Sequence, residues 1–271
     1  MAAALSALQI AVLAVVQGIT EFLPISSSGH LVLVPVFADW PDQGLTIDVA
    51  VHVGTLVAVM GYLWREIAAM LSGVGRFAIG RGVDQGCRLA FLLVAATVPV
   101  VIVGYFVNKL AGTSLRNVAV IGWATLIFGL VLHVADRAGA TARTLDRIGP
   151  RDALLIGLSQ VLALVPGVSR SGITMTAARF LGFERQAAAH FSMLLSIPTT
   201  VGAGVLLGVE LYQSGDAVLT HDAAWAAVLS GVAAIVAIIA MMAWLKRASF
   251  MPFVIYRVIL GVALIAYAAM H

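Results

Sequence analysis

The chain of 271 residues has one cysteine, Cys87. A single thiol excludes an intrachain disulfide and a thiolate metal cluster, and Cys87 reads as a small buried apolar residue. Charge is equally scarce: 11% of residues are Asp, Glu, Lys or Arg, against about 25% in a soluble domain. With 61% hydrophobic residues and a mean hydropathy of +1.03, this is the composition of an integral membrane protein. There is no Walker loop, dinucleotide glycine pattern, His-x-x-Glu-His or paired cysteine set, so no organic cofactor is indicated. The net charge of +3 does not point to nucleic acid, because the Lys and Arg residues sit in short loops between apolar runs. The stretch Met1–Val16 has the length of a signal-peptide core, but no basic residue precedes it and it runs into a polar motif; it reads as mature structure.

What remains is apolar sequence of helical length, and the expected fold is one all-α membrane domain. Six stretches are long enough to span: 45–64, 86–108, 114–134, 186–211, 223–245 and 251–270. Segments 3–16 and 25–38, and again 152–165 and 172–183, are too short. Each pair flanks a polar motif and a proline, Pro24 or Pro166. Broken helix at membrane depth is tolerated only where protein or a cavity surrounds it, so each pair is expected to form a re-entrant hairpin with the motif at its tip. A rival reading makes 3–23 a true span and inverts every later loop.

With re-entrant hairpins, one face holds Arg65, Arg76, Arg81, Arg88, Arg137, Arg143, Arg147, Arg151, Arg179, Arg185, Lys246 and Arg247. The other keeps Lys109 and Arg116 with Asp39, Asp42, Asp216 and Asp222. The positive-inside rule makes the first face cytoplasmic and puts both termini outside. Trp40, Trp64, Trp123, Trp225 and Trp244 fall mostly near span ends, as an aromatic belt does. Ser26-Ser27-Ser28-Gly29 echoes Ser169-Arg170-Ser171-Gly172, and Ala50-Val51-His52 echoes Ala188-Ala189-His190. A hairpin plus three spans in each half, about 1–135 and 151–271, gives an inverted repeat whose tips meet near the midplane.

The tips carry the chemistry. An ionisable residue at bilayer depth costs about 2.5–3.5 kcal/mol on insertion scales, so Glu21, His30 and Arg170 need partners, most simply each other. Gln17 and Glu21 share a helix face at four-residue spacing and suit a divalent cation or a proton. Ser26, Ser27 and Ser28 stand where a helix restarts, able to cap it and, with its N-terminus, to attract an anion. In the second tip Gly167 permits an unusual turn, Ser169, Ser171 and Thr174 offer hydroxyls, and the Arg170 fork suits phosphate. His30 follows Ser27 by three residues, a spacing at which the imidazole could activate the hydroxyl. Asp48 and His52 could face the same cavity, with His190 as the counterpart in the second half. His133 and His221 read as interfacial, and Arg257 in the last span has no evident partner.

These residues resemble the bacterial undecaprenyl-diphosphate phosphatases linked to bacitracin resistance, over essentially the whole chain. That family carries Glu-or-Gln-x-x-x-Glu followed by a serine-rich segment ending in Gly-His, matched by Gln17, Glu21, Ser26 to Ser28 and His30. It also carries Pro-Gly-x-Ser-Arg-Ser-x-x-Thr, matched by Pro166, Gly167, Ser169, Arg170, Ser171 and Thr174. Trp64-Arg65, Ser249 to Phe253 and Tyr256-Arg257 are weaker points of likeness. The resemblance implies removal of the terminal phosphate from a C55 isoprenyl diphosphate, recycling the lipid carrier for peptidoglycan synthesis, on interleaved inverted repeats that are commonly dimeric. Its expected mechanism has Ser27 as nucleophile, His30 as acid and base, Arg170 with Ser169 and Ser171 on phosphate oxygens, and Glu21 ordering His30 or a Mg²⁺ or Ca²⁺ ion. Thr174 would support the phosphate site, and Gln17 would orient Glu21. An alternative makes His30 the nucleophile. Gln17 stands where some members have Glu, which weakens a metal-ligand role there. An anionic-lipid transporter or flippase is the competing class, since midplane helix tips also serve transporters.

Overall fold

The computed structural model describes residues 5–111, 117–139, 142–214 and 217–270, without the side chains of several positions at the ends of 101–111, 201–214 and 217–220. Arg116 and Asp216 lie outside the described residues, as does the Lys109 side chain. The chain is helical, with α1 Ala7–Thr20, α2 Ser27–Ala38, α3 Gly44–Tyr62, α4 Trp64–Ala78, α5 Gln85–Ala111 and α6 Val118–Ala138 in its first half. The second half has α7 Pro150–Gln160, a 3-10 turn Val161–Leu164, α8 Arg170–Phe180, α9 Arg185–Ser214, α10 Ala217–Leu245 and α11 Met251–Met270.

Five helices are long and apolar enough to cross a membrane among the described residues: α3, α5, α6, α10 and α11. They match five of the six expected spans. The sixth, 186–211, falls on α9, where several side chains lie outside the described residues. The short apolar pieces fold as α1 and α2 on either side of the first motif and as α7 and α8 on either side of the second.

Residues 64–78 differ from expectation. Their basic residues read as loop charges, yet they form α4, which follows α3 directly after Leu63. Leu71, Val74 and Phe77 stay exposed on this helix, with Arg65, Arg76 and Glu66 interspersed. An amphipathic helix of this kind suits a membrane interface; its apolar residues recur at helical spacing rather than in a long run. Beyond it, Asp84 accepts the Cys87 N–H at 2.8 Å and binds Arg76. These contacts hold its carboxyl below the ordinary carboxylate range. Cys87 itself is buried and free.

Glycines set how closely the helices approach, as is usual where lipid supplies no hydrophobic driving force between them. A Cβ on Gly54 of α3 would lie 2.0 Å from the Ala227 carbonyl oxygen of α10, and one on Gly18 of α1 would lie 2.4 Å from that of Ser230. Both helices therefore lean on the same stretch of α10. Gly54→Val is expected to force α3 off α10 and cost about 1–3 kcal/mol, read as a lower melting temperature of the purified protein in detergent. Gly61→Ala, one end of the same helix with open space around it, should leave the melting temperature unchanged or raise it.

Ion pairs anchor the C-terminal end of α8. Arg179, counted above as a charge on the basic face, is fully buried. Its Nε and that of Arg185 donate to Asp136 Oδ1 at 3.2 and 2.7 Å, and the Phe250 N–H reaches Asp136 Oδ2. One carboxylate thereby ties α6 to α8, α9 and the start of α11. Buried charges persist when paired and hydrogen-bonded in this way.

Candidate active site

The last turn of α1 delivers Gln17 and Glu21, both buried, to the first tip. Glu21 continues the helix, its N–H donating to the Gln17 carbonyl at 2.9 Å, so both side chains leave the same face. Glu21 Oε2 accepts from Gln17 Nε2 at 2.8 Å and from Ser27 Oγ at 2.6 Å. Glu21 Oε1 accepts from Arg170 Nη2 at 2.6 Å. A buried carboxylate is thus held by a guanidinium, an amide and a hydroxyl, which answers its desolvation.

The two tips use one local device. Ser26 and Ser169 have φ of +73° and +74°, left-handed values that cost a non-glycine residue about 1–3 kcal/mol unless the surroundings hold them. Each caps the helix that follows: Ser26 Oγ accepts from the Gly29 N–H at 3.4 Å and Ser169 Oγ from the Gly172 N–H at 3.0 Å. Ser26 Oγ also takes the Gly167 N–H at 3.1 Å, and Ser171 Oγ donates to the Leu23 carbonyl at 2.8 Å. The tips therefore bind each other directly. Gly167, at φ +97° and with no room for a Cβ beside the Ile121 carbonyl at 2.6 Å, is where the second chain must be glycine.

Arg257 of α11 locks this junction. Fully buried, it donates from Nη1 to Pro24 at 3.1 Å, from Nη2 to the Gly167 and Val168 carbonyls at 3.0 Å, and from Nε to Thr125 at 3.1 Å. Helix breaks leave carbonyls without intrahelical donors, and a fork of five N–H groups serves several at once. The partner of Arg257 that sequence could not assign is thus backbone. An isolated arginine in the last span was the signal, but its partners are remote in sequence.

Beside the tips lies a cavity of about 460 Å³ lined by Glu21, Ser27, Asp48, His52 and Arg170, with Leu31 and Leu164 among its apolar walls. Ser28 and Ser169 line it too. Arg170 Nη1 is buried with no hydrogen-bond partner among the described residues, leaving a charged donor for an anion. Helix α2 begins at Ser27 and α8 at Arg170, so two positive helix ends add to it. Thr174 stands behind this front, bonded to the Arg170 carbonyl at 2.9 Å and to Ser192 Oγ at 2.8 Å.

His30 is placed elsewhere. Its Nδ1 donates to the Ser26 carbonyl at 2.7 Å, its Nε2 meets the Tyr256 hydroxyl at 2.6 Å, and the rings stack 5.7 Å apart. The expected Ser27–His30 hydrogen bond is not formed; Ser27 turns to Glu21 instead. The reason is local: the Ser26 carbonyl lies one helical turn before His30 and takes the nearer ring nitrogen. The imidazole that does reach the cavity is His52, whose Nε2 is 3.7 Å from Glu21 Oε2. His190 pairs with Glu66 at 3.3 Å, away from the tips.

A serine hydroxyl on a carboxylate, an arginine with a spare donor, and two helix ends make a cavity whose chemistry suits an anion, with a hydroxyl facing it. The model of the bacitracin resistance protein BacA family matches residues 10–263. The chain belongs to the BacA family. Among its relatives, the undecaprenyl-diphosphatase of Jannaschia sp. (strain CCS1) is 55% identical over 260 residues, covering 94% of this chain and 97% of that protein. That of Roseobacter denitrificans is 52% identical over 257 residues, 94% and 96% of the two chains. Undecaprenyl-diphosphatase 1 of Rhodospirillum rubrum is 52% identical over 271 residues, 96% and 95%.

Within this BacA-family site, a divalent cation does not fit on Glu21 as a protein-held ion. Oε1 is taken by Arg170 and Oε2 by Ser27 and Gln17, so an ion there would face a guanidinium. Among the described residues no three His, Cys, Asp or Glu side chains cluster in a way that could hold a metal.

Proposed function

We propose that the chain hydrolyses undecaprenyl diphosphate to undecaprenyl phosphate and inorganic phosphate, returning the lipid carrier to peptidoglycan synthesis and conferring bacitracin resistance. The observation that carries this reading is the Ser27 hydroxyl, 2.6 Å from the Glu21 carboxylate in a cavity that Arg170 also lines. Ser27 Oγ attacks the terminal phosphorus, its proton passing to Glu21 Oε2, while the bond to the bridging oxygen breaks and undecaprenyl phosphate leaves. Arg170 and the two helix ends balance the charge on the equatorial oxygens; phosphoryl transfer asks for little beyond such positioning and charge stabilisation. Gln17 orients Glu21, Thr174 backs the Arg170 turn, and Ser26, Ser28, Ser169 and Ser171 shape the phosphate cradle. In this reading His30 supports the first tip rather than taking the Ser27 proton. Any Mg²⁺ or Ca²⁺ enters on the diphosphate of the substrate.

The same reading takes α1–α2 and α7–α8 as re-entrant hairpins in an inverted repeat with six spans, α9 being the sixth. Support comes from the paired left-handed caps Ser26 and Ser169. It further places the chain in the inner membrane as a homodimer, with both termini outside and the arginine-rich loops in the cytoplasm.

The test is phosphate release from undecaprenyl diphosphate by the purified protein, with lipid binding followed in parallel. Release at turnover rates of about 1–10³ per second is expected. Binding without release, with and without added Mg²⁺ or Ca²⁺, would overturn the phosphatase reading in favour of a lipid carrier.

A further inference from the structure

We infer that His52 is the base that activates water in the second half of the reaction, discharging a phosphorylated Ser27; this rests on the Ser27 nucleophile proposed above. Attack by Ser27 leaves its proton on Glu21; while Glu21 keeps that proton for its return to Ser27, the incoming water needs a second base facing the same cavity. Two imidazoles stand near the tips, and the structure separates them. Both ring nitrogens of His30 are engaged, by the Ser26 carbonyl and by Tyr256. His52 differs: its Nδ1 meets the Asp48 carbonyl at 2.6 Å, and no hydrogen bond to Nε2 is formed among the described residues.

That bond selects the tautomer of the neutral ring: a carbonyl oxygen accepts, so Nδ1 carries the proton and Nε2 presents its lone pair. Nε2 is directed to the cavity, 3.7 Å from Glu21 Oε2, the oxygen that also takes Ser27 Oγ. The ring is held by its own helix and is about a third exposed, at 31%, which admits water beside it. Glu21, Asp48 and Arg170 are the charged groups that line the same cavity.

The second step then balances. Water attacks the phosphorus of phospho-Ser27 and gives a proton to His52 Nε2. The P–Oγ bond breaks, Glu21 returns its proton to Ser27 Oγ, and inorganic phosphate departs, carrying off the proton held by His52. Two bases divide the work: Glu21 serves the serine and His52 serves the water.

The experiment uses the purified full-length protein and undecaprenyl diphosphate labelled in its terminal phosphate, quenched in acid on the millisecond to minute scale. His52→Ala and His52→Gln are compared with wild type. Glutamine keeps a polar side chain beside Glu21 but is not a base, so a purely positional role survives in it. The expected result for both variants is a stoichiometric burst of undecaprenyl phosphate, label retained on the protein, and steady-state phosphate release lower by ~10²–10⁴-fold. Wild-type turnover in His52→Gln would overturn the inference. So would lost turnover with neither burst nor retained label, which would make His52 a support for Glu21 in the first step. Ser27→Ala separates the two levels: if it still releases phosphate, the nucleophile assignment falls and the inference with it. If it is inactive while the His52 variants retain no label, the inference falls alone.

Discussion

Ser27→Ala is expected to lower phosphate release by ~10³–10⁶-fold, the range seen when a hydrolase loses its nucleophile, while binding of undecaprenyl diphosphate changes by less than about tenfold. The separation follows from where Ser27 sits. It donates to Glu21 at 2.6 Å but caps nothing; capping of α2 belongs to Ser26, which also receives the N–H of Gly167. Removing the Ser27 hydroxyl therefore leaves the junction between the tips intact. Glu21 keeps Gln17 and Arg170, so its charge remains paired and the fold should survive. Release measured by inorganic phosphate and binding measured by tryptophan quenching or lipid co-purification give the two readouts. Equal losses in both would mean that Ser27 is a binding group.

Arg170→Lys should cost ~10²–10³-fold in kcat/KM, comparable with removing one preorganised donor from a transition-state site. Arginine works here through its planar fork. Nη2 holds Glu21 at 2.6 Å while Nη1 remains buried with no hydrogen-bond partner among the described residues, so one side chain fixes the carboxylate and still offers a charged N–H to phosphate. A lysine ammonium is a point charge on a flexible stem and has to choose between the two. Arg170→Ala should be more severe, because it also leaves the Glu21 carboxylate buried without its cation. Breaking a buried pair in that way costs about 3–5 kcal/mol, and a melting-temperature drop should accompany the loss of rate. Wild-type kcat/KM in Arg170→Lys would show that charge alone, rather than the fork, serves the substrate.

Much of this protein is legible along the chain. Hydropathy alone marks the membrane class and five of the helices, since lipid demands about twenty apolar residues per crossing. The motif segments stand out because polar and ionisable residues are expensive at such depth, which marks Glu21, His30 and Arg170. The pairing of Glu21 with Arg170 followed from the same cost, across 149 residues of sequence. Less visible was α4, whose apolar residues are spaced for one face rather than gathered in a run.

Side-chain direction is where sequence stopped. Spacing put His30 one turn from Ser27 and suggested a contact, but the Ser26 carbonyl and Tyr256 hold that ring, and Tyr256 is 226 residues away. The carboxylate of Glu21, five residues before Ser26 and folded back by the turn at the first tip, takes the hydroxyl instead. The buried role of Arg257 likewise depends on carbonyls at positions 24, 125, 167 and 168, which meet only when both tips and α6 have packed. Composition and periodicity are properties of neighbours along the chain, and they determined where helices run and where they break. Which groups face one another inside the cavity is a property of helices packed to contact, and only the tertiary structure could decide it.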